Sequence, residues 1–398
     1  MKTMSRILIL LGLLVALNSE ETPNDVETVV GYQELKFVNK HLQNFHQTRD
    51  HPDTNLTTPE MIERRGYPAE IHYITTADHY ILQMHRIPNP GKPVVFLQHG
   101  ILGASSDWHT SCSMPGMTYG WAMPVEIFTR GIILSSILTP IPTFGDSHEL
   151  DYVLALTGEQ QVTYIGHSMG TTMFWIMCSE KPKYNTKIKQ MHALSPMALI
   201  IKVESPIRFM APYIFDESLV QSMMGLDEFM PSNEFFEFMG VSGCRQTVMM
   251  SADVCDNILF LMAGYDSQQL NETTLPVILS HTPADTSTES LLHYVQGIST
   301  WNFEFYDYSN SDNNDIYGNS DPPDFNLKKI TSPVYLHWSD GDWFAHPDDV
   351  ASLNSTLLNV KASIRVPLDA FNHLDFLWAM DVRSLLYDTI LDLMENPL

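Results

Sequence analysis

Cysteine is scarce: Cys112, Cys178, Cys244 and Cys255 are the only four in 398 residues, too few for a small disulfide-stapled scaffold. In an oxidising compartment they suffice for one bridge. Cys244 and Cys255, the closest pair in sequence, flank a loop and are expected to form it. Cys178, in an apolar stretch, reads as a buried core thiol. Basic residues are also few, 22 Lys and Arg against 47 Asp and Glu, for a net charge of −25. That balance argues against nucleic acid as a partner and against electrostatic attachment to anionic lipid, and it suits an acidic lumen. Long hydrophobic runs are missing beyond the N-terminus. There Lys2 and Arg6 precede Ile7 to Leu17, a run too short to span a bilayer and flanked like a secretory signal peptide over 1–19. No transmembrane segment is expected. Three N-x-S/T tripeptides, at Asn55, Asn271 and Asn354, are candidate glycan acceptors and agree with a secretory route.

With 44% hydrophobic residues, a chain of this length can bury a large core. Residues 20–55 are polar with little periodicity and read as an N-terminal arm or pro-segment. From Glu70 to Ile87, apolar and polar residues alternate around Ala77 and Asp78, which predicts a hairpin. Val94 to Leu97 is a continuous apolar run, as in a strand buried on both faces. Strand signals recur at Ile132 to Leu138, Val162 to Ile165, Met191 to Leu194 and Val334 to Trp338, with helical segments between several of them. This alternation predicts a mostly parallel sheet covered by helices. Between Leu199 and Asn326 the pattern becomes rich in methionine and aromatics, with Met210, Met223, Met224, Met230, Met239, Met249 and Met250. A helical insertion over 199–326 is expected, serving as a cap and lid over an apolar pocket. The core then comprises 56–198 and 327–398.

The most informative segment is Val162 to Gly170, where a strand signal breaks into Gly166-His167-Ser168-Met169-Gly170. Glycines two positions either side of a serine fit a nucleophile elbow, a turn between strand and helix too tight for larger neighbours. The residues that follow, Met173 to Met177, form an unbroken apolar stretch in a helix apolar on most sides, as burial against a sheet requires. Ser168 is therefore the candidate nucleophile.

A serine hydroxyl needs a base, and the base needs a carboxylate to fix its tautomer. On this fold the chain order is serine, acid, histidine. Asp340 and Asp342 both qualify by position, just past the strand signal at Val334 to Trp338. His373 lies in a polar break between a strand signal at Ser363 to Val366 and a final helix from about Arg383. His346 competes as the base, but it is too close to the acid to come from a separate loop. Two backbone donors are expected at the oxyanion hole, Met169 after the nucleophile and Ile101 after the strand that ends at Gly100. No cofactor or metal is required.

The strings FLQHGILG, YIGHSMGTT, GDWFAHPDDV and FNHLDFLWAMD resemble those of the acid lipases, the gastric and lysosomal lipase group. The resemblance runs from about Leu56 to the C-terminus. It implies an α/β-hydrolase core with a helical cap and lid, a triad of Ser168, Asp342 and His373, and secretion or lysosomal residence. The implied substrate is a neutral lipid ester, triacylglycerol or cholesteryl ester, at an oil–water interface. Two departures stand out. Met169 replaces a common Gln, which leaves the donated backbone group unchanged. Ser113 to Glu149 is shorter than usual and lacks a Gly-Asn-x-Arg-Gly motif, although a strand from Ile132 and a helix near Asp146, with Glu149 three residues on in a capping-box arrangement, preserve the topology. The competing reading is a non-catalytic lipid-binding protein on the same fold, disabled by segment 113–149. Retention of all three triad residues favours the enzyme.

Overall fold

The computed structural model describes residues 51–76, 79, 81–109, 132–135, 145–205, 228–229, 263, 269–271, 274–284 and 286–398. The chain is already packed within the expected N-terminal arm. Asp53 is buried and pairs with Arg64 and with Arg65 at 2.7 Å, at the end of α1 (Thr58–Arg64). β1 (Glu70–Thr75) and β2 (Ile81–Ile87) form the expected antiparallel hairpin, with Tyr73 opposite Gln83. Then follow β3 (Val95–Gln98), β4 (Ile132–Ser135), α2 (Gly145–Thr157), β5 (Val162–His167), α3 (Met169–Glu180) and β6 (Ile188–Leu194). α2 begins at Gly145, so Asp146 and Glu149 both fall inside the helix, and the residue that would cap it lies outside the described residues.

Within 199–326, the described residues form three helices and a short strand pair, joined by extended and irregular segments. They comprise β7 (Glu228–Phe229), α4 (Leu275–His281), β8 (Thr286–Ser287), α5 (Thr288–Thr300) and α6 (Asn310–Tyr317), with β7 and β8 paired antiparallel. The seven methionines named above lie outside the described residues, as do Cys112, Cys244, Cys255 and most of 113–149. The chain ends with β9 (Val334–Trp338), α7 (Pro347–Thr356), β10 (Val360–Arg365), α8 (Asp375–Trp378), a π turn at Arg383–Tyr387 and α9 (Asp388–Glu395).

The eight-stranded sheet runs β1-β2-β4-β3-β5-β6-β9-β10, and the six strands from β4 to β10 are parallel. Successive side chains of a strand point to opposite faces, and both faces here are covered. Val94, Phe96, Tyr164, Ala193 and Leu336 pack on one side with Leu150 and Val153 of α2, Phe174 and Trp175 of α3, and Val350 and Leu353 of α7. Val95, Leu97, Ile165 and Leu194 pack on the other with Ile62 of α1 and with Phe376, Leu386 and Ile390 near the C-terminus. This explains the continuous apolar runs. Each large side chain so buried contributes about 1.5–3 kcal/mol. Cys178 of α3 is buried in the first of these clusters.

β3 has β4 on one flank and β5 on the other, so the chain's order reverses at β3. In α/β sheets the crevice outside the carboxyl ends of strands at such a reversal is where ligands bind. The loops after β3 and β5 meet there. Among the described residues, no helix is long and apolar enough to cross a membrane.

Candidate active site

Ser168 stands between β5 and α3 with φ 54° and ψ −120°, a region that costs a non-glycine residue about 1–3 kcal/mol. Its surroundings hold it there. The Ser168 N–H donates to the Leu194 carbonyl at 3.1 Å, and the Ser168 carbonyl accepts from the N–H of Thr171 at 2.8 Å and from its Oγ1 at 2.7 Å. The flanking glycines are needed for space. A Cβ on Gly170 would lie 2.4 Å from the Gln98 carbonyl oxygen of β3, and one on Gly166 would lie 2.8 Å from the Gly170 carbonyl. The strand and the helix approach too closely for any side chain at either position.

Two loops at the carboxyl edge of the sheet converge on this serine. His373, after β10, places Nε2 2.8 Å from Ser168 Oγ and Nδ1 2.9 Å from Asp342 Oδ1. Asp342, after β9, has its Oδ1 fixed by the N–H groups of Phe344 at 2.9 Å and Ala345 at 3.0 Å. Ser168, Asp342 and His373 are 2%, 1% and 6% exposed, so water does little to screen their interactions. Burial pushes the Asp342 carboxyl up. The opposing pull of His373, by charge and hydrogen bond, together with bonds from Ser195 and the Ala345 N–H, outweighs burial and holds it below the ordinary aspartate value. Asp342 is thus kept as a carboxylate. The Ala263 carbonyl accepts from the N–H of both Trp343 (3.5 Å) and His373 (3.2 Å), tying the insertion to both loops.

The other candidates fall elsewhere. Asp340 is exposed and engages Arg365, whose Nε donates to it at 2.6 Å. His346 precedes α7 and accepts the Asp348 N–H at 3.2 Å. Asn55 and Asn354 are exposed, whereas Asn271 is only 8% exposed, which sets it apart from the surface acceptor expected of the sequence.

Two residues near the site were not singled out in the sequence. Ser195, at the end of β6 with φ 51°, donates from Oγ to Asp342 Oδ2 at 2.5 Å and lies 2.7 Å from His373 Nδ1. It faces the nitrogen already committed to the carboxylate, while Ser168 faces the other. His167 donates from Nε2 to the His373 carbonyl at 2.9 Å, with the two rings 4.9 Å apart. Burial, with the neighbouring His373 adding to it, pushes His167 down to about 3, so it is neutral. The signal for both was topological: each sits at the carboxyl end of a strand adjoining the site.

Met169 opens α3 and is fully buried; its N–H is among the first in a helix, which have no intrahelical acceptor. Gly100 lies beside the serine, since a Cβ there would be 2.9 Å from Ser168 Cβ and 3.4 Å from its Oγ. The Gly100 carbonyl accepts from the Gly103 N–H at 3.2 Å and from His99 Nδ1 at 2.9 Å. In a trans peptide the next N–H points opposite to that carbonyl, so this pinning fixes the direction of Ile101 N–H.

On the insertion side, Met197 places its Sδ 3.3 Å from Ser168 Oγ, and its carbonyl accepts from Thr172 Oγ1 at 2.7 Å. Thr172, Ile200, Tyr294 and Phe303 line a shallow, open-mouthed cleft. Met169, Met173 and Ile176 pack with Phe325 in an apolar cluster beside Ile101 and Phe305.

A serine in a strained turn after the fifth strand of a parallel sheet, facing a histidine and a buried carboxylate from later loops, defines an α/β-hydrolase. Comparisons with known proteins agree. Residues 58–112 match the family model described as a partial alpha/beta-hydrolase lipase region, and 129–230 match the alpha/beta hydrolase fold. The chain is 37% identical to Lipase 3 of Drosophila melanogaster, over 85% of this chain and 92% of that one. It is 31% identical to the lysosomal acid lipase/cholesteryl ester hydrolase of Homo sapiens, over 87% and 92% of the two chains. It is 32% identical to the gastric triacylglycerol lipase of Bos taurus, over 86% and 92%. A crystal structure of a lipase candidate from Sulfolobus solfataricus superposes with a TM-score of 0.55 at 13% identity, covering 83% of this chain and 94% of that one; it supports the fold alone. The chain belongs to the acid-lipase family of α/β-hydrolases.

Proposed function

We propose that this protein is a serine carboxylic ester hydrolase, a lipase, that cleaves neutral lipid esters through an acyl-enzyme. The observation that carries the reading is the buried relay from Asp342 to His373 to Ser168, with contacts of 2.9 and 2.8 Å. Ser168 Oγ attacks the ester carbonyl as His373 Nε2 takes its proton, and Asp342 stabilises the imidazolium that forms. The backbone N–H groups of Met169 and Ile101 receive the oxyanion. His373 then returns the proton to the departing alcohol, and water, activated by the same base, releases the fatty acid.

Relatives named for triacylglycerol and for cholesteryl ester, and the apolar residues packed around Met169 and along the cleft, support a neutral acyl substrate. The fold divides by function into a core of 56–198 and 327–398 and a cap over 199–326. The protein is secreted or lysosomal, with a Cys244–Cys255 bridge and glycans at Asn55 and Asn354. Its substrate is settled by assaying a triacylglycerol emulsion and a cholesteryl ester dispersion across pH 4–8. Release of fatty acid from either one is expected. Binding of both without turnover would favour the lipid-binding alternative.

A further inference from the structure

The loop that presents Ile101 is tied to the insertion at two points, and one of its anchors is a buried carboxylate that the chemistry above does not use. Asp107 is 2% exposed. Its Oδ2 accepts the Ala104 N–H at 3.0 Å, and its Oδ1 accepts from Thr282 Oγ1 at 2.7 Å. A Cβ added to Gly103 would lie 2.4 Å from the same Oδ2, so the loop is pressed directly against this carboxylate. One residue earlier, Leu102, held at φ 58°, accepts the Ala284 N–H on its carbonyl at 2.8 Å. Thr282 and Ala284 follow α4 in the insertion, and the Thr282 N–H donates to the Ile278 carbonyl of that helix at 2.8 Å. The chain of contacts therefore runs from α4 through Thr282 and Asp107 to Ala104 and Gly103. It ends at the Gly103 N–H bonded to the Gly100 carbonyl, the bond that fixes the direction of Ile101 N–H.

We propose that Asp107 is a positioning residue that couples the seating of the insertion, through Thr282, to the orientation of the oxyanion donor at Ile101. The inference rests on Ser168 being the nucleophile. Its physical basis is that a donor helps only at the place where the negative charge develops, and a displacement of about 1 Å in such a group costs up to about 10²-fold in rate. Loss of the Thr282–Asp107 bond frees the loop to shift without removing any group that touches substrate, so turnover falls while substrate binding does not.

The test is steady-state kinetics on a soluble p-nitrophenyl ester with Thr282→Val, Thr282→Ser, Asp107→Asn, Asp107→Ala and the double variant Thr282→Val/Asp107→Ala. Labelling of Ser168 by a fluorophosphonate is read in parallel. Thr282→Val should lower kcat about threefold to tenfold with KM within about twofold, a fraction of the about 10²–10³ lost with a whole donor. Thr282→Ser keeps its bond, and in Asp107→Asn the amide oxygen can accept from the Ala104 N–H while Nδ2 donates to Thr282 Oγ1, so both variants should stay near wild type. Asp107→Ala should lose more, and the double variant should match it because the two residues act through one contact. Should Asp107→Ala fail to fold, the Val and Ser variants of Thr282 decide by themselves. An unchanged kcat in Thr282→Val, a rise in KM alone, or fully additive losses in the double variant would overturn the coupling. A wild-type enzyme left unlabelled at Ser168 would overturn the underlying reading as well.

Discussion

Two serines lie within 3 Å of His373, and the side of the ring each occupies separates their roles. Ser168 faces Nε2, whereas Ser195 shares the Nδ1 side with Asp342. Ser195→Ala should lower kcat about tenfold to a hundredfold, since a hydrogen bond to a charged group is worth about 1.5–3 kcal/mol, and it should leave fluorophosphonate labelling of Ser168 in place. Loss of all labelling would make Ser195 the nucleophile. The two aspartates separate as sharply. Asp342→Asn should cost about 10⁴-fold in kcat, as expected when the orienting acid of such a triad is neutralised. Asp340→Asn removes a surface ion pair with Arg365 and should change kcat by less than about twofold; equal losses would refute the assignment. Ser168, His373 and the pair Asp340/Asp342 were legible in the sequence because chain order and turn chemistry mark them. Ser195 was not. Its contact arises from β6 lying beside β9 in the sheet, with Leu194 paired to His337, and no local pattern encodes that adjacency.

At the scale of elements, the elbow is a packing problem between β3, β5 and α3. Gly170→Ala would set a Cβ 2.4 Å from the Gln98 carbonyl oxygen, and backbone cannot yield as a flexible side chain can. Overpacking of this kind costs about 1–3 kcal/mol or more, so the urea midpoint of the variant should drop measurably. An unchanged midpoint would show that strand and helix have room to spare. The parallel strands were legible as apolar runs because both faces of the sheet are covered, as Val95 and Phe96 show by packing on opposite sides. The place of β4 between β2 and β3 was not legible, since the crossover connections set strand order and leave no periodicity. The π turn at Arg383–Tyr387 likewise fell inside what read as one plain helix.

At the scale of the whole molecule, burial of neutral histidines among the described residues makes stability sensitive to acid. His192 and His337 pair across β6 and β9 at 3.2 Å, and both are fully buried. Burial pushes His337 down to about 3, while an unfolded histidine takes up its proton near pH 6.5. The unfolded state thus binds the extra proton as pH falls below about 6.5. Stability is lost at up to about 1.4 kcal/mol per pH unit until the folded value is reached. Asp107, raised by burial to about 6, acts in the opposite direction between about pH 6 and pH 4. His337→Leu removes one such histidine, so its stability relative to wild type should climb by up to about 1.4 kcal/mol per unit from pH 6.5 to pH 4 in urea titrations. A pH-independent difference would mean that His337 is already protonated in the fold.

The central claim, that this family member is a working serine lipase, is tested most directly by fatty-acid release from a triacylglycerol emulsion and a cholesteryl ester dispersion, comparing wild type with Ser168→Ala. Wild type should hydrolyse at least one of them. The variant should melt at the same temperature and lose about 10⁶-fold in kcat, as when a nucleophilic serine is removed elsewhere. A folded Ser168→Ala protein that releases fatty acid at the wild-type rate would contradict the account.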